Sequence, residues 1–392
     1  RALYDKALAH CDLLVIGGGP AGLTAALTGA RGGLDVTLAD EDFAFGGRLN
    51  SATVEIAGQP GAGWAAQVAA ELAGMANVRL MPRTTVTGAY DGGTYAALQR
   101  VSHHLADPAD HLPLETFWRI AARRTILAGG AIERPIAFAN NDRPGVMMAS
   151  AVRSYANRFA VLPGQRISLF TNNDDGHRTA LDLLRLGADI ATVVDTRSDV
   201  VAMGDYPLIT GGQVTGTSGR LGLKSITVSK ASGTLKVATD CLAVSGGWNP
   251  SVHLTCHMNG RPVWREDIAA FVPADNAIPG MRVAGAANGD FSTHAALSAG
   301  AEAAAEVLGD LGKTAPATVI PAAEDAPIRL EPFWHVTASK GRAWLDLQND
   351  VTTKDVALAH RENFRSVEHM KRYTTLGMAT DQGKTSNVGG LA

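Results

Sequence analysis

The chain has 392 residues, 46% of them hydrophobic and 19% charged, a globular composition whose length suits two or three packed domains. Its 35 Lys and Arg against 38 Asp and Glu leave a net charge of −3 with no basic block, which excludes nucleic acid and an anionic membrane surface as expected partners. Three scattered cysteines, Cys11, Cys241 and Cys256, exclude a disulfide scaffold and a four-cysteine metal site, and they fit a reducing compartment. Glycine is in excess at 43 residues, about 11% against an ordinary level of roughly 7%. Without a Gly-X-Y period, that excess points to tight turns and to close approach of backbone to ligand. No apolar run is long enough to cross a bilayer, and no signal-peptide pattern opens the chain. The first residue is Arg1, and the sequence reads as a piece of a longer, cytoplasmic chain.

In chain order, Asp12 to Ile16 is a short apolar run ending in three glycines, followed by a small-residue helix to about Gly32 and a second apolar alternation from Asp35 to Ala39. Strand, turn, helix and strand make a βαβ unit. A helix is expected over 65–75, with strands over 78–81 and 84–90 and a strand-rich stretch over 116–128. A second βαβ unit follows: a strand over 166–171, a helix over 178–186 closed by Gly187, and a strand over 189–194. A hairpin around Gly233, strands over 241–245 and 281–284, and a helix over 295–308 come next. Residues 313–327, rich in Ala, Thr and Pro, read as a linker, and a compact helical stretch runs from Thr353 to Tyr373.

The first βαβ turn carries Gly17-x-Gly19-Pro20-Ala21-Gly22 directly after a strand and at the opening of a helix. Gly17 permits the tight turn, Gly19 lets the backbone approach a pyrophosphate, and Gly22 lets helix and strand pack closely. The bare helix start favours an anion by roughly 0.3–1 kcal/mol. Asp40, at the end of the second strand, stands where a carboxylate accepts from an adenosine ribose 2′-hydroxyl. With Glu41 beside it, a 2′-phosphate would meet two negative charges at about 1–4 kcal/mol each, so NAD or FAD is expected over NADP. Gly46-Gly47-Arg48 then passes the pyrophosphate, and the turn Gly285–Gly289 brings the chain back to the same ligand, with Phe291 and Thr293 lining it. The second βαβ turn, Thr171 to Gly176, has one glycine and two acids, Asp174 and Asp175, which would repel a pyrophosphate. One nucleotide site is therefore expected, in a two-dinucleotide-binding-domain α/β fold of the glutathione-reductase type with a small C-terminal helical module.

Four motifs go beyond fold: Gly130–Pro135, Asn141–Val146, Ser245–Pro250, and the tail Gln348–Thr352 with Lys371–Lys384. In these the sequence resembles the α subunits of heterotetrameric sarcosine oxidase, across essentially its whole length and as the middle portion of such a subunit. The resemblance implies domains at 1–134 with 241–312 (nucleotide-binding) and at 135–240 (inserted, degenerate site), a linker at 313–330 and a module at 331–392. It implies NAD⁺ on this chain and FMN shared with a β subunit that carries FAD, alongside γ and δ subunits and a tetrahydrofolate-binding domain beyond this stretch. It carries the NAD⁺ contacts onto Ala21, Asp40, Glu41, Arg48, Thr87, Ala286, Phe291 and Thr293. The tail also resembles cysteine-rich 2Fe-2S modules, whose four ligand positions fall here on Asp346, Gln348, Asp381 and Ser386. An iron–sulfur cluster needs thiolates, so the scaffold is expected to dock and contact FMN instead, with Arg372 and Lys384 as phosphate anchors or, equally, solvated surface charges. No catalytic side chain and no metal site is expected; His253, Cys256 and His257 crowd together but lack a fourth ligand. Two alternatives stay open: a subunit of an opine or proline dehydrogenase-type complex, and a stand-alone FAD/NAD(P)H oxidoreductase.

Overall fold

The structure, a computed structural model, describes residues 3–392. The main elements, in chain order, are β1 (Tyr4–Ile16), α1 (Pro20–Arg31), β2 (Val36–Ala39), α2 (Gly61–Ala73), β3 (Val78–Met81), β4 (Thr84–Tyr90), β5 (Thr94–Arg100) and β6 (Glu115–Leu127). There follow β7 (Val146–Met148), α3 (Ala149–Phe159), β8 (Arg166–Thr171), α4 (Asp174–Arg185), β9 (Asp189–Asp195) and β10 (Leu208–Ile209). The chain continues through β11 (Gln213–Ser218), β12 (Ser225–Lys230), β13 (Gly233–Ala238), β14 (Cys241–Ser245), β15 (Met281–Val283), α5 (Thr293–Asp310), α6 (Thr353–Arg361) and α7 (Val367–Thr374). Two compact units result. The first takes the chain up to Ala131 with Pro250–Arg265 and Phe271–Pro327; the second takes Ile132–Asn249, Glu266–Ala270 and Ile328–Ala392.

The first unit is built on a seven-stranded sheet in the order β3-β2-β1-β6-β5-β4, with β15 also pairing β6. Its β3-β2-β1-β6 and β15 pairings are parallel, the β6-β5-β4 pairings antiparallel. Leu13 and Val15 of β1 pack with Leu23 and Ala26 of α1, Leu38 of β2 and Leu297 of α5, all buried. Small residues on α1 and α5 allow that closeness: a Cβ on Gly300 would lie 2.1 Å from the Ala21 carbonyl oxygen. Strand β1 is longer than its apolar run, because Tyr4–His10 pairs in register with Glu115–Ala121 although most of those seven residues are exposed. Residues 313–327 have no helix and no long strand, yet they are fastened: Ala57 donates to the Ala322 carbonyl at 2.8 Å and His294 to Glu324 at 3.0 Å.

The second unit carries a five-stranded parallel sheet, β7-β14-β8-β9-β10, and a three-stranded antiparallel sheet, β11-β12-β13. Here the domain boundary expected at residue 240 shifts. Every residue of β14 is buried, and β14 pairs with both β7 and β8, so Cys241–Ser245 belongs to this sheet and the insertion runs on to Asn249. Helix α4 starts four residues before the expected point because the Asn173 side chain caps it. Beyond Ile328, the segment Trp344–Asp346 pairs with Val351–Thr352, and α6 and α7 pack on a small core of Val351, Ala359, Met370 and Leu376. Helix α6 opens with a capping box in which Thr352 and Asp355 satisfy each other's backbone amides.

Candidate functional site

The fingerprint loop of the first unit is shaped by two places where only glycine fits. Gly17 has φ +100°, and a Cβ there would lie 2.3 Å from the Ala128 carbonyl oxygen; a Cβ on Gly22 would lie 1.8 Å from the Gly17 carbonyl oxygen. Gly19 is different. Its φ is −73°, it is the N-cap of α1 with no side chain capping the helix, and a Cβ built on it would meet nothing within 4 Å. The first turn of α1 carries no acidic residue. The start of α1 thus has no side-chain cap and no acid, and the space beside Gly19 is unfilled, with the positive end of the helix dipole behind it, an arrangement that suits a phosphate.

Asp40 lies beside this opening. Its Oδ2 accepts a hydrogen bond from the Gly18 amide and its Oδ1 accepts from the Asp42 amide at 2.7 Å. Burial pushes the carboxyl above its ordinary range; the two amide bonds oppose that, and the neighbouring Asp42 and Glu41 charges add to it. Each carboxylate oxygen keeps a further lone pair, so the group can still accept from a sugar hydroxyl. Strand β4 is tied to the same residue through the Thr84 amide, which donates to the Asp40 carbonyl at 2.7 Å.

Two further segments close on the loop. The Gly46 amide donates to the Gly18 carbonyl at 2.7 Å, and Gly47 comes so near that its Cβ would lie 3.0 Å from the Gly19 Cα. The Phe45 ring covers Gly18, whose own Cβ would strike that ring at 2.4 Å. On the other flank, a Cβ on Gly285, at φ +68°, would meet the Ala21 Cβ at 2.8 Å, which seats the turn Gly285–Asn288, with Ala286, against the start of α1. Ser292 caps α5 by accepting from the Ala295 amide at 3.0 Å, fixing half-buried Phe291 and Thr293 at the head of that helix.

The structure thus gathers Gly17, Gly19, Pro20, Ala21, Gly22, Asp40, Gly47 and Ala286 by contact or chain continuity. Glu41 is exposed next to Asp40, and Arg48 is half-buried in the turn after Gly47. Thr87 is the extra residue of a bulge between Val86 and Gly88 of β4, which leaves its main chain out of the regular ladder. Phe45 and Thr84 were not singled out in the sequence. Phe45 had one available signal, an aromatic residue immediately before Gly46-Gly47; Thr84 acts through its backbone and had none.

In the second unit the helix start is closed from within. Asn173 Oδ1 accepts from the Asp175 amide at 2.9 Å and the Gly176 amide at 3.3 Å. Glu133 is fully buried there, with Oε2 accepting from the Ser150 amide at 2.7 Å and Oε1 without a partner; burial lifts its carboxyl to about 7. In the tail, two of the four positions read as cluster ligands, Asp346 and Asp381, hold backbone instead, while Gln348 Oε1 accepts from the Thr380 hydroxyl at 3.0 Å and the buried Ser386 hydroxyl has no hydrogen-bond partner among the described residues. Asp346 accepts from the amides of Gln348 (2.9 Å), Asn349 (3.1 Å) and Gly377 (2.8 Å), and Asp381 from Gly383 (3.0 Å). Lys384 points its ammonium at the Asp381 carbonyl at 3.4 Å, and Arg372 is exposed on α7. His257 accepts the Ala89 amide at 3.4 Å, and among the described residues no group of three or more His, Cys, Asp or Glu could hold a metal ion. No helix among them is long and apolar enough to cross a membrane.

Comparison with known proteins agrees with this geometry. Residues 11–166 match the pyridine nucleotide-disulphide oxidoreductase family, and residues 340–392 match the sarcosine oxidase A3 domain. The fold is similar to that of L-proline dehydrogenase from P. horikoshii, with a TM-score of 0.78 at 21% identity over 99% of this chain and 75% of that one. It is also similar to thioredoxin reductase from T. acidophilum, with a TM-score of 0.59 at 17% identity over 77% of this chain and 99% of that one. This is the nucleotide-binding oxidoreductase fold, and the fold implies a flavin or nucleotide cofactor. In sequence the chain is 45% identical to the sarcosine oxidase α subunit of Rhizobium meliloti over 99% of its own length and 40% of that protein's. The Corynebacterium sp. (strain P-1) α subunit is 40% identical over all of this chain and 42% of its own length. On these matches the chain belongs to the sarcosine oxidase α-subunit family, of whose members it spans about two fifths.

Proposed function

We propose that this chain is the nucleotide-holding stretch of a sarcosine oxidase-type α subunit and that its first unit binds NAD⁺. The observation that carries the reading is the unfilled opening at Gly19, where an uncapped helix start stands beside the Asp40 carboxylate. The pyrophosphate lies on the first-turn amides of α1, and the adenosine ribose hydroxyls donate to Asp40. Gly47, Arg48 and Ala286 flank the phosphates, the main chain at Thr87 meets the adenine, and Phe291 and Thr293 line the nicotinamide side. Asp40 with Glu41 disfavours a 2′-phosphate.

The chemistry proper is assigned to a partner. On this reading sarcosine, tetrahydrofolate and oxygen would give glycine, 5,10-methylenetetrahydrofolate and hydrogen peroxide; a β subunit would carry the FAD that oxidises the amine, and an FMN that this chain would help to hold at their boundary would supply the electron transfer to oxygen. Gamma and delta subunits complete a cytoplasmic complex. The C-terminal module contributes to FMN binding, with Arg372 and Lys384 as phosphate anchors, and no side chain of this chain is catalytic. Denaturing the purified complex and identifying the released nucleotides tests this directly. NAD⁺ in a ratio of one per chain is expected; FAD at this site, or an opening that holds no nucleotide, overturns the reading.

A further inference from the structure

The second unit has the outline of a dinucleotide cleft, and something already lies in it. At the carboxyl ends of β8 and β9, where the first unit leaves an opening, residues 329–331 run antiparallel to residues 172–174 across the start of α4. The Asp174 amide donates to the Arg329 carbonyl at 3.1 Å, the Glu331 amide donates to the Asn172 carbonyl at 3.1 Å, and Asn172 Nδ2 donates to the Glu331 carbonyl at 2.8 Å. The Arg329 amide returns to Asp174 Oδ2 at 2.8 Å. Between them, Leu330 lies so close to Gly247 that a Cβ there would strike its methyl at 2.4 Å.

Arg197 fastens this segment. It is two residues beyond Asp195, the acid that ends β9 and stands where Asp40 stands in the first unit. Its side chain is wholly buried. One Nη1 reaches Asp174 Oδ1 at 2.8 Å and the Arg329 carbonyl at 3.0 Å, while Nη2 reaches Asp195 Oδ2 at 2.7 Å. Asp195 also receives His177 Nε2 at 2.8 Å, and the other ring nitrogen of His177 is 2.8 Å from the Tyr206 hydroxyl. Burial alone would raise the Asp195 carboxyl, but the His177 and Arg197 hydrogen bonds outweigh it and hold it below the ordinary range. The acid that would take a ribose and the helix start that would take a pyrophosphate are thus both spent on the chain itself.

We propose that Arg329–Glu331 is an internal strap which occupies the second unit's dinucleotide cleft and, latched by Arg197 between Asp195 and Asp174, keeps a second nucleotide out. The strap leads directly into the C-terminal module, so closing the cleft and anchoring the module are one act. A chain built this way takes no hydride from a nicotinamide dinucleotide in its second unit.

Hydrogen–deuterium exchange on the intact complex tests this. In the wild type the amides of Arg329, Glu331 and Asp174 should exchange as slowly as those of β8, and adding millimolar NADH or NADPH should leave them unchanged. Arg197→Leu should speed their exchange about tenfold or more while α1 is unaffected. Asp174→Asn keeps the shape and the Asp195 bonds, and should give a smaller acceleration in the same peptides. It covers the case in which Arg197→Leu fails to fold. Strap amides that exchange at free-loop rates in the wild type, or that are newly protected by NADH or NADPH, overturn the proposal. So does an Asp174→Asn variant with unchanged exchange. Peptides of α1 report separately on the first unit's nucleotide, so failure of that reading leaves this result legible.

Discussion

Asp40 is joined to Gly18 by a hydrogen bond from the Gly18 amide to the carboxylate, so the acid that ends β2 is fastened to the loop that starts α1. The same carboxylate also holds the Asp42 amide, which leaves it accepting from two amides before any ligand arrives. Asp40→Asn keeps the shape but replaces one acceptor by an NH₂ facing an amide donor. Stability should fall by about 1–3 kcal/mol, the usual effect of stranding a half-buried donor. NAD⁺ affinity should fall about tenfold or more, because the ribose loses a charged acceptor. Thermal melting with and without NAD⁺, and calorimetric titration, read the two effects separately; an unchanged titration removes Asp40 from the site.

Two glycines of one motif should answer differently to the same methyl. At Gly22 the methyl would stand 1.8 Å from the Gly17 carbonyl oxygen, so backbone must move and Gly22→Ala should lose about 1–3 kcal/mol or more of stability. At Gly19 the methyl meets nothing and φ is already negative. Gly19→Ala should melt within roughly 0.5 kcal/mol of the wild type, yet bind NAD⁺ poorly, because the methyl enters the space a pyrophosphate needs. A Gly19→Ala chain that binds normally would mean that the ligand does not approach that backbone.

The contrast shows what is legible in a sequence. Gly17, Gly22 and Asp40 follow from local rules, since a turn, a close approach and a strand end are each set within a few residues. The membership of β14 was not legible, because Cys241–Ser245 is an apolar run that fits either sheet and only its two parallel neighbours decide. Nor was the early part of β1, where Asp5, Lys6 and His10 hide a strand whose partner lies about a hundred residues on. The strap over the second cleft was invisible for the same reason. Residues 328–334 show no period, and their backbone bonds go to a turn far away in the chain.

Glu133 should make stability depend on pH in an unusual direction. Burial disfavours the charge and pushes the carboxyl of the folded chain up to about 7, above its ordinary 4.5. Between those values the folded chain holds a proton that the unfolded chain has released, so stability falls as pH rises from about 4.5 to about 7 and stays reduced above that. The effect is on the order of 3 kcal/mol. Glu133→Gln carries no charge and keeps a carbonyl for the Ser150 amide. Urea unfolding at about pH 5 and about pH 8 should show the variant gaining on the wild type at the higher pH. Parallel curves would place the Glu133 charge in contact with a cation or with water.

Asp346 holds the tail together through its own carboxylate. One carboxylate accepts from three amides, those of Gln348, Asn349 and Gly377, and so joins the turn after Trp344–Asp346 to the loop after α7. Asp346→Ala strands all three, and the module should lose roughly 3 kcal/mol or more. Its core is only a few side chains, so the loss should appear as local opening rather than global unfolding. Limited proteolysis should cut the variant beyond Trp344 while the fragment carrying the three larger sheets survives, and Asp346→Asn should fall between the two. None of the three cysteines lies in the tail, so a chelator should leave the wild-type digestion pattern unchanged. A chelator-sensitive tail would show that a metal, and not this carboxylate, secures it.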